Sequence, residues 1–396
     1  MSSNETQLNV TKLISVREFQ QRPPRLKERS VKHLRIVDKK TLYEIYEFKE
    51  EIGHGTYGTV ISAIEKQTSK NYAIKIVNKF TTGANQLQEV YSEIKILKSV
   101  DHPNIICLER VYESPRKIYM VLEKCSDNLS SVLKQEKSLT EKVTKKIIKQ
   151  LVSAVYYLHK NDIVHRDIKL ENILLANNPS DPSDKYFIKL SDFGLSIIKT
   201  GAGIQGMLKE YCGTVIYMAP EILLQHSYSE LCDVWPIGVI LYLLLFGEFP
   251  FFSSNEDELS NKICNSAPVF QIQDGAVSYE AIDLIKCLLE KDPANRITSL
   301  EILQHPWMTE NKVKQKDVNV LEYMKKWRSE MKISIDDEPP DWISNMTDIG
   351  KRGSTESDAS STKANKEVEP MKVCLAASQN KLNHLSKRKN CSTPMM

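Results

Sequence analysis

Alternation of apolar and polar residues opens the patterned part of the chain near Tyr46. YEFKEEIG and TVISAIEK both alternate, as strands with one wet face must, and they flank a glycine-containing turn. The pair predicts a hairpin, and KNYAIKIVNK predicts a third strand beside it. In NQLQEVYSEIKILKSV the apolar residues Leu87, Val90, Tyr91, Ile94 and Leu97 recur at helical spacing, and KIYMVLEKC returns to a strand pattern. From about Leu139 the periodicity is helical: KVTKKIIKQLVSAVYYLHK, then VWPIGVILYLLLFG, then YEAIDLIKCLLEKD. The second of these is apolar all round, which predicts a helix buried on every side. It falls short of the ~18–20 apolar residues a bilayer span requires, and Asp233 and Glu248 close it off. A small sheet-rich part therefore precedes a larger helical part. The expected fold class is α+β, with two lobes and a cleft between them.

The flanks read differently. Residues 1–45 are polar and basic, with Pro23-Pro24, and predict a disordered N-terminal arm. The globular pattern runs from 46 to 308, with a small lobe over 46–123 and a large one over 126–308. Residues 309–333 hold an amphipathic helical candidate, with Val320, Met324, Trp327 and Met331 on one side and Lys325, Lys326 and Arg328 nearby. A basic amphipathic segment of this kind has the chemistry to bind calmodulin or to close over an active site; packing against the large lobe is the plainer alternative. Residues 334–396, rich in Ser, Asp, Lys and Pro, predict a second disordered tail.

Composition adds exclusions. A net charge of +3 is too mild to argue for nucleic acid as a partner. The 8 cysteines are scattered with no C-x-x-C pair or metal-ligand spacing, which suits a reducing compartment and offers no zinc site. With no signal-peptide pattern at MSSNETQLNV and no membrane span, the expected location is cytoplasmic; the terminal SKRKN is a weak nuclear signal. The expected state is a monomer.

Charged residues crowd one place where the core begins. IVHRDIKLENILL, residues 163–175, sets His165, Arg166, Asp167, Lys169, Glu171 and Asn172 between two apolar runs, and burying so many polar groups without partners is costly. Upstream, GHGTYGTV is a G-x-G-x-x-G-x-V pattern inside the hairpin. Glycines let backbone N–H groups approach phosphate oxygens because no Cβ intervenes. The same pattern opens dinucleotide-binding folds, but there a helix follows; here strand-like TVISAI follows, so an oxidoreductase reading fails on context. Lys75, between Ile74 and Ile76 on the third strand, points away from their face. If buried, its ammonium needs an anion, and Glu93, on the helix face of Val90 and Leu97, can supply one. A solvated lysine and a solvated glutamate are the alternative.

The motifs fall into one order. The glycine loop, AIK, H-R-D-x-K-x-x-N, SDFG at Asp192-Phe193-Gly194, APE at Ala219-Pro220-Glu221 and DVW…G from Asp233 to Gly238 form the signature set of eukaryotic protein kinases. The sequence resembles a serine/threonine protein kinase over residues 46–308, and within that family the calcium/calmodulin-dependent-kinase-like group. The resemblance implies the two-lobed protein kinase fold, with one main helix in the β-rich small lobe and a helical large lobe. It implies Mg²⁺-dependent transfer of the γ-phosphoryl of ATP to Ser or Thr of protein substrates. Asp167 would act as base and Lys169 would sit by the γ-phosphoryl; Asn172 and Asp192 would hold Mg²⁺; Lys75, held by Glu93, would contact the α/β-phosphates. Ile52, Gly53, His54, Gly55, Thr56, Tyr57, Gly58, Thr59 and Val60 would cover the nucleotide. Val60 and Ala73 above and Leu174 below would sandwich adenine, with Glu123 and Cys125 offering hinge backbone groups and Leu122 limiting the back of the pocket. A pseudokinase scaffold is the competing reading; it would be favoured by loss of Lys75, Asp167, Asn172 or Asp192, and all four are present.

Departures from the family pattern carry their own expectations. Glu210, in KEYCGT, stands where many related kinases are phosphorylated on threonine, and is expected to pair with Arg166. Val215 replaces a usual proline and Pro236 a usual serine; a proline in the first helical turn is tolerated because its missing N–H would lack a partner there anyway. Asp127 and Glu171 are the acids available to favour a basic residue upstream of the acceptor, although Leu243 occupies the place of a further acid. Glu221 and Arg296 are expected to form a buried structural ion pair, and His102 and His305 to serve turns.

Overall fold

A computed structural model describes residues 29–55, 58–199, 207–208, 210, 212–270 and 277–309. The predicted arm up to residue 28, Thr56 and Tyr57 of the glycine loop, and all but the first residue of the predicted tail helix and disordered tail lie outside these residues.

The small lobe is one six-stranded sheet in the order β1-β5-β6-β4-β3-β2. In chain order its elements are β1 (Lys32–Arg35), α1 (Lys40–Ile45), β2 (Tyr46–Gly55), β3 (Gly58–Glu65), β4 (Asn71–Asn78), α2 (Ala84–Ser99), β5 (Leu108–Glu113) and β6 (Lys117–Glu123). The predicted hairpin is β2–β3, with Gly55 opposite Gly58. Lys75 is in register with Val60 on one side and Met120 on the other, which sets the ammonium on the same sheet face as the roof of the cleft.

The N-terminal arm is shorter than predicted. Residues 29–45 are structured: β1 adds to the sheet edge parallel to β5, and α1 drops Leu42 into a cluster with Tyr46, Tyr72, Tyr112 and Val121. The reason is tertiary. Four strand residues and six helix residues, rich in Lys and Arg, cannot hold a shape alone, but a sheet edge and an apolar pocket suffice to order them. β5 also escapes the periodicity, because LERVYE carries three charges in six residues.

The large lobe follows as β7 (Asp127–Asn128), α3 (Leu129–Glu136), α4 (Glu141–Lys160), β8 (Ile163–Val164), β9 (Ile173–Leu175), β10 (Ile188–Leu190), β11 (Ile197–Ile198), α5 (Pro220–Leu223), α6 (Val234–Phe246), α7 (Glu256–Asn265), α8 (Tyr279–Leu288), α9 (Ser299–Gln304) and α10 (Pro306–Thr309). As its all-apolar pattern predicts, α6 is buried from Val234 through Leu245. It ends at Gly247, whose φ of 75° and close approach to the Lys137 carbonyl leave no room for a Cβ. Among the described residues no helix is long and apolar enough to cross a membrane.

Candidate active site

The crowded stretch 163–175 is a loop pinned between two short strands. β8 pairs with β11 and β9 with β10, so the residues between them emerge where the two lobes face one another. Two residues near the cleft, Arg166 with φ 69° and Asp192 with φ 61°, adopt the left-handed region that side chains disfavour. What holds the first is Asp233, which is fully buried. Its carboxylate accepts the backbone N–H groups of His165 and Arg166, both at 2.8 Å, and His159 Nε2 at 3.0 Å. Burial alone would raise its pKa; His159 and the hydrogen-bonded N–H of His165 more than offset this, so the carboxyl titrates below the usual range. Asp233 is a functional residue that sequence reasoning placed only in a motif. Its partners lie 67–74 residues away, beyond any local pattern.

His165 is buried. Its Nδ1 accepts the N–H of Asp167 at 3.3 Å, so Nε2 carries the proton and donates to the Ser191 carbonyl at 3.1 Å, tying the loop to the DFG segment. Its ring meets the buried Phe193 edge-on at 4.8 Å. Asp167 is held on one oxygen: Lys169 Nζ lies 2.7 Å from Oδ2, and Asn172 Nδ2 donates to the same atom at 3.0 Å and to the Asp167 carbonyl at 2.8 Å. Lys169 also donates to Thr214 at 3.3 Å. On the roof, Lys75 is buried and donates to both oxygens of Glu93 at 2.8 Å, with Asp192 Oδ1 at 3.8 Å. Burial alone would lower the lysine's pKa; the charge of Glu93, then that of Asp192, outweighs it, and Lys75 is a firm cation. The solvated alternatives for this pair are excluded.

Lys75, Glu93, Asn172 and Asp192 border a cleft of ≈ 590 Å³; Asp167 and Lys169 are not part of its lining and stand beside it, joined to its wall through Asn172. Of the predicted residues, Ile52, Gly53, His54, Val60, Ala73, Lys75, Glu93, Leu122, Glu123, Cys125, Asn172, Leu174 and Asp192 line it. Gly53 has open space where a Cβ would be, as a backbone meant to approach a ligand requires. Gly58 and Thr59 stand on the hairpin away from the walls. At Gly58 the need for glycine is structural, since a Cβ would strike the Ile76 carbonyl on β4. Glu123 turns its carboxylate behind the hinge, to Cys107 N–H at 2.7 Å and Lys189 at 2.8 Å, and its own N–H goes to the Cys107 carbonyl at 3.1 Å. What it can offer a ligand is its carbonyl. Burial pushes the Cys125 thiol up to about 12, so it is an inert wall of the pocket. Ile106, Leu97 and Asn128 also line the cleft and were not foreseen.

The secondary expectations resolve in the same geometry. Arg166 Nη1 donates to Glu210 Oε2 at 2.6 Å. Arg296 forks onto Glu221 at 2.6 and 2.8 Å in the core. His102 Nδ1 accepts the Asn104 N–H at 3.1 Å and His305 Nδ1 that of Trp307 at 3.2 Å, both turn roles. One cluster corrects the expectation of no metal-like grouping: Asp283, Cys287 and His305 bring their ligand atoms within 4.8 Å of one another. Because His305 Nδ1 is an acceptor, Nε2 holds the proton and donates to Asp283 at 3.3 Å, so no lone pair faces a metal there.

Residues 46–308 match the family model described as protein kinase domain. The chain belongs to the protein kinase family. It is 42% identical to serine/threonine-protein kinase 33 of Mus musculus over 76% of this chain and 62% of that protein, and 43% identical to the Bos taurus kinase of the same name over 76% and 63%. It is 38% identical to myosin light chain kinase A of Dictyostelium discoideum over 68% of this chain and 89% of that protein. These relatives place the chain in the calcium/calmodulin-dependent-kinase-like group. The chain spans roughly three fifths of the length of the first two relatives. Family membership implies ATP as the phosphoryl donor and protein as the acceptor.

Proposed function

We propose that the chain is an active protein serine/threonine kinase that transfers the γ-phosphoryl of ATP to a Ser or Thr hydroxyl. The observation that carries the reading is the closed Lys75–Glu93 pair with Asp192 turned toward it, the arrangement phosphoryl transfer needs and a scaffold would not. Asp167, fixed at Oδ2 by Lys169 and Asn172, accepts the hydroxyl proton at its other oxygen as the new P–O bond forms and the bond from the γ-phosphorus to the β,γ-bridging oxygen breaks, releasing ADP. Lys169 faces the transferred group and Lys75 the α/β-phosphates. The amide oxygen of Asn172 and the carboxylate of Asp192, hard oxygens on the cleft wall, suit Mg²⁺, which when bound neutralises charge on the phosphates. Peptide-array phosphorylation by the purified chain, run beside Asp167→Asn, tests the activity. It also reads out whether the exposed Asp127 and Glu171 select basic flanks.

Glu210 supports activity without activation-loop phosphorylation. Arg166 has 6% of its side chain exposed and Glu210 73%, so the pair is half-screened and contributes up to ~1 kcal/mol, or roughly fivefold in kcat if it acts on the active arrangement alone. Phosphatase-treated protein is expected to be active, and Glu210→Ala to lower kcat severalfold. A silent Glu210→Ala would refute this role.

The tail segment around Trp327 lies outside the described residues, and its sequence pattern alone supports a calmodulin-binding or autoinhibitory helix. Removing residues 310–396 is expected to alter basal activity or its response to calmodulin. If neither moves, the segment has no such role. Cytoplasmic location, with SKRKN as a weak nuclear address, and a monomeric state complete the reading.

A further inference from the structure

The last carbonyls of an α-helix have no partner within it, and whatever takes them fixes where that end of the helix lies. For α2, the helix that carries Glu93, a good part of the answer is Arg29. Its backbone N–H donates to the Lys98 carbonyl at 2.7 Å and its Nη1 to the Val100 carbonyl at 3.4 Å. Its Nη2 donates to the Leu108 carbonyl at 2.7 Å and to Cys107 Sγ at 3.2 Å. One residue thus joins the C-terminal end of α2 to the start of β5, and it brings a cation to the negative end of the helix dipole. The residues that follow repeat the link. β1 pairs along β5 from Lys32 opposite Arg110 to Arg35 opposite Glu113. His33 Nε2 donates to Glu113 at 2.8 Å, and Lys98 Nζ donates to His33 Nδ1 at 3.4 Å. Glu113 also accepts Tyr91 Oη at 2.9 Å and pairs with Lys79. So α2 is gripped at Tyr91 and at Lys98, on either side of Glu93.

We infer that residues 29–36 are a strap that positions α2, and that Arg29 is a positioning residue for phosphoryl transfer, acting through the helix on the Glu93–Lys75 pair. A helix moves as a rigid body between discrete placements, and a pair at 2.8 Å opens with a small displacement of its carrier. The strap touches neither the cleft nor the acceptor site. Its loss therefore lowers the population of the closed pair without altering how a peptide docks on the large lobe. The inference rests on the kinase reading above.

The test uses the full chain with Arg29→Ala and Arg29→Lys. Hydrogen exchange is followed in 84–99 and in the large-lobe helices α4 and α6, and kcat and KM are measured for ATP and a phosphoacceptor peptide. For Arg29→Ala, exchange in 84–99 is expected to quicken while α4 and α6 stay protected. kcat should fall about tenfold with peptide KM within about twofold, since slight misplacement remote from the chemistry is enough to cost rate. Both variants keep the backbone bond to Lys98; Arg29→Lys, which also keeps the cation, should recover part of both. Unchanged exchange in 84–99, exchange that rises equally in all three helices, or an unchanged kcat would overturn the strap. A wild-type chain no more active than Asp167→Asn would instead count against the kinase reading, and the exchange of α2 would still decide whether the strap holds the helix.

Discussion

Replacing Asp167 by asparagine is expected to lower kcat by about 10²–10⁴-fold, the contribution typical of one positioned general base. Asparagine has nearly the same shape. Its amide oxygen can still meet Lys169 and Asn172, which contact Oδ2 at 2.7 and 3.0 Å in the native loop. What it cannot do is accept the acceptor hydroxyl's proton, because the position toward the substrate becomes an NH₂. The loop should keep its shape, since its backbone is held by Asp233 and His165 rather than by Asp167. KM for ATP should change little: the nucleotide would meet Lys75, the glycine hairpin and the hinge. Steady-state kinetics on a peptide substrate, with thermal unfolding as the control for fold, make the comparison. Retention of more than about a tenth of the native kcat would mean that Asp167 is not the base.

The chemistry of this site was legible because phosphoryl transfer demands particular residue types in a particular order. Lys75, Asp167, Asn172 and Asp192 could be picked out of the sequence; Lys75, Asn172 and Asp192 line one cleft, and Asp167 is hydrogen-bonded to Asn172 beside it. The scaffold behind them was legible where a pattern was clear: the alternation of β2, β3, β4 and β6, the helical spacing of α2 and α4, and the all-apolar run of α6. β1, α1, β5 and α3 are four to eight residues long, charged, and ordered by what they lie against; a hydrophobic pattern carries little of that information. The same limit hid the residues that act at second hand. Asp233 was visible as a motif letter, yet its task of holding Arg166 at a positive φ exists only once a loop 67 residues upstream folds onto it. Arg29 sat in a stretch that composition assigns to disorder. Gly58 was read as a phosphate contact, whereas the neighbouring strand already forbids any side chain there.

Truncating Arg296 to methionine is expected to destabilise the large lobe by about 3–5 kcal/mol, the cost of leaving a buried carboxylate without its partner. Glu221 and Arg296 are 4% and 3% exposed, and the guanidinium takes both carboxylate oxygens, at 2.8 and 2.6 Å. Arg296 also donates to the carbonyls of Glu290 at 2.9 Å and Leu231 at 3.0 Å and lies 5.2 Å from the centre of the Trp235 ring. It makes a longer bond to the Lys291 carbonyl at 3.5 Å. The loss of Arg296 therefore orphans a charge and three carbonyls together, and joins three segments less firmly: α5, the turn before α6, and the loop after α8. At this domain size the change corresponds to a drop in melting temperature on the order of 10 °C. The double variant Glu221→Met, Arg296→Met separates the two causes. If the cost is mainly the stranded carboxylate, removing it as well should return more than half of the lost stability, because an apolar pair of similar volume is often as good as a buried ion pair. If the double variant is no more stable than Arg296→Met, the carbonyl contacts and the ring carry the effect. Calorimetry on the three proteins at one pH and salt concentration decides between them. A single variant within ~1 kcal/mol of the native chain would show that the pair contributes no more than an exposed one.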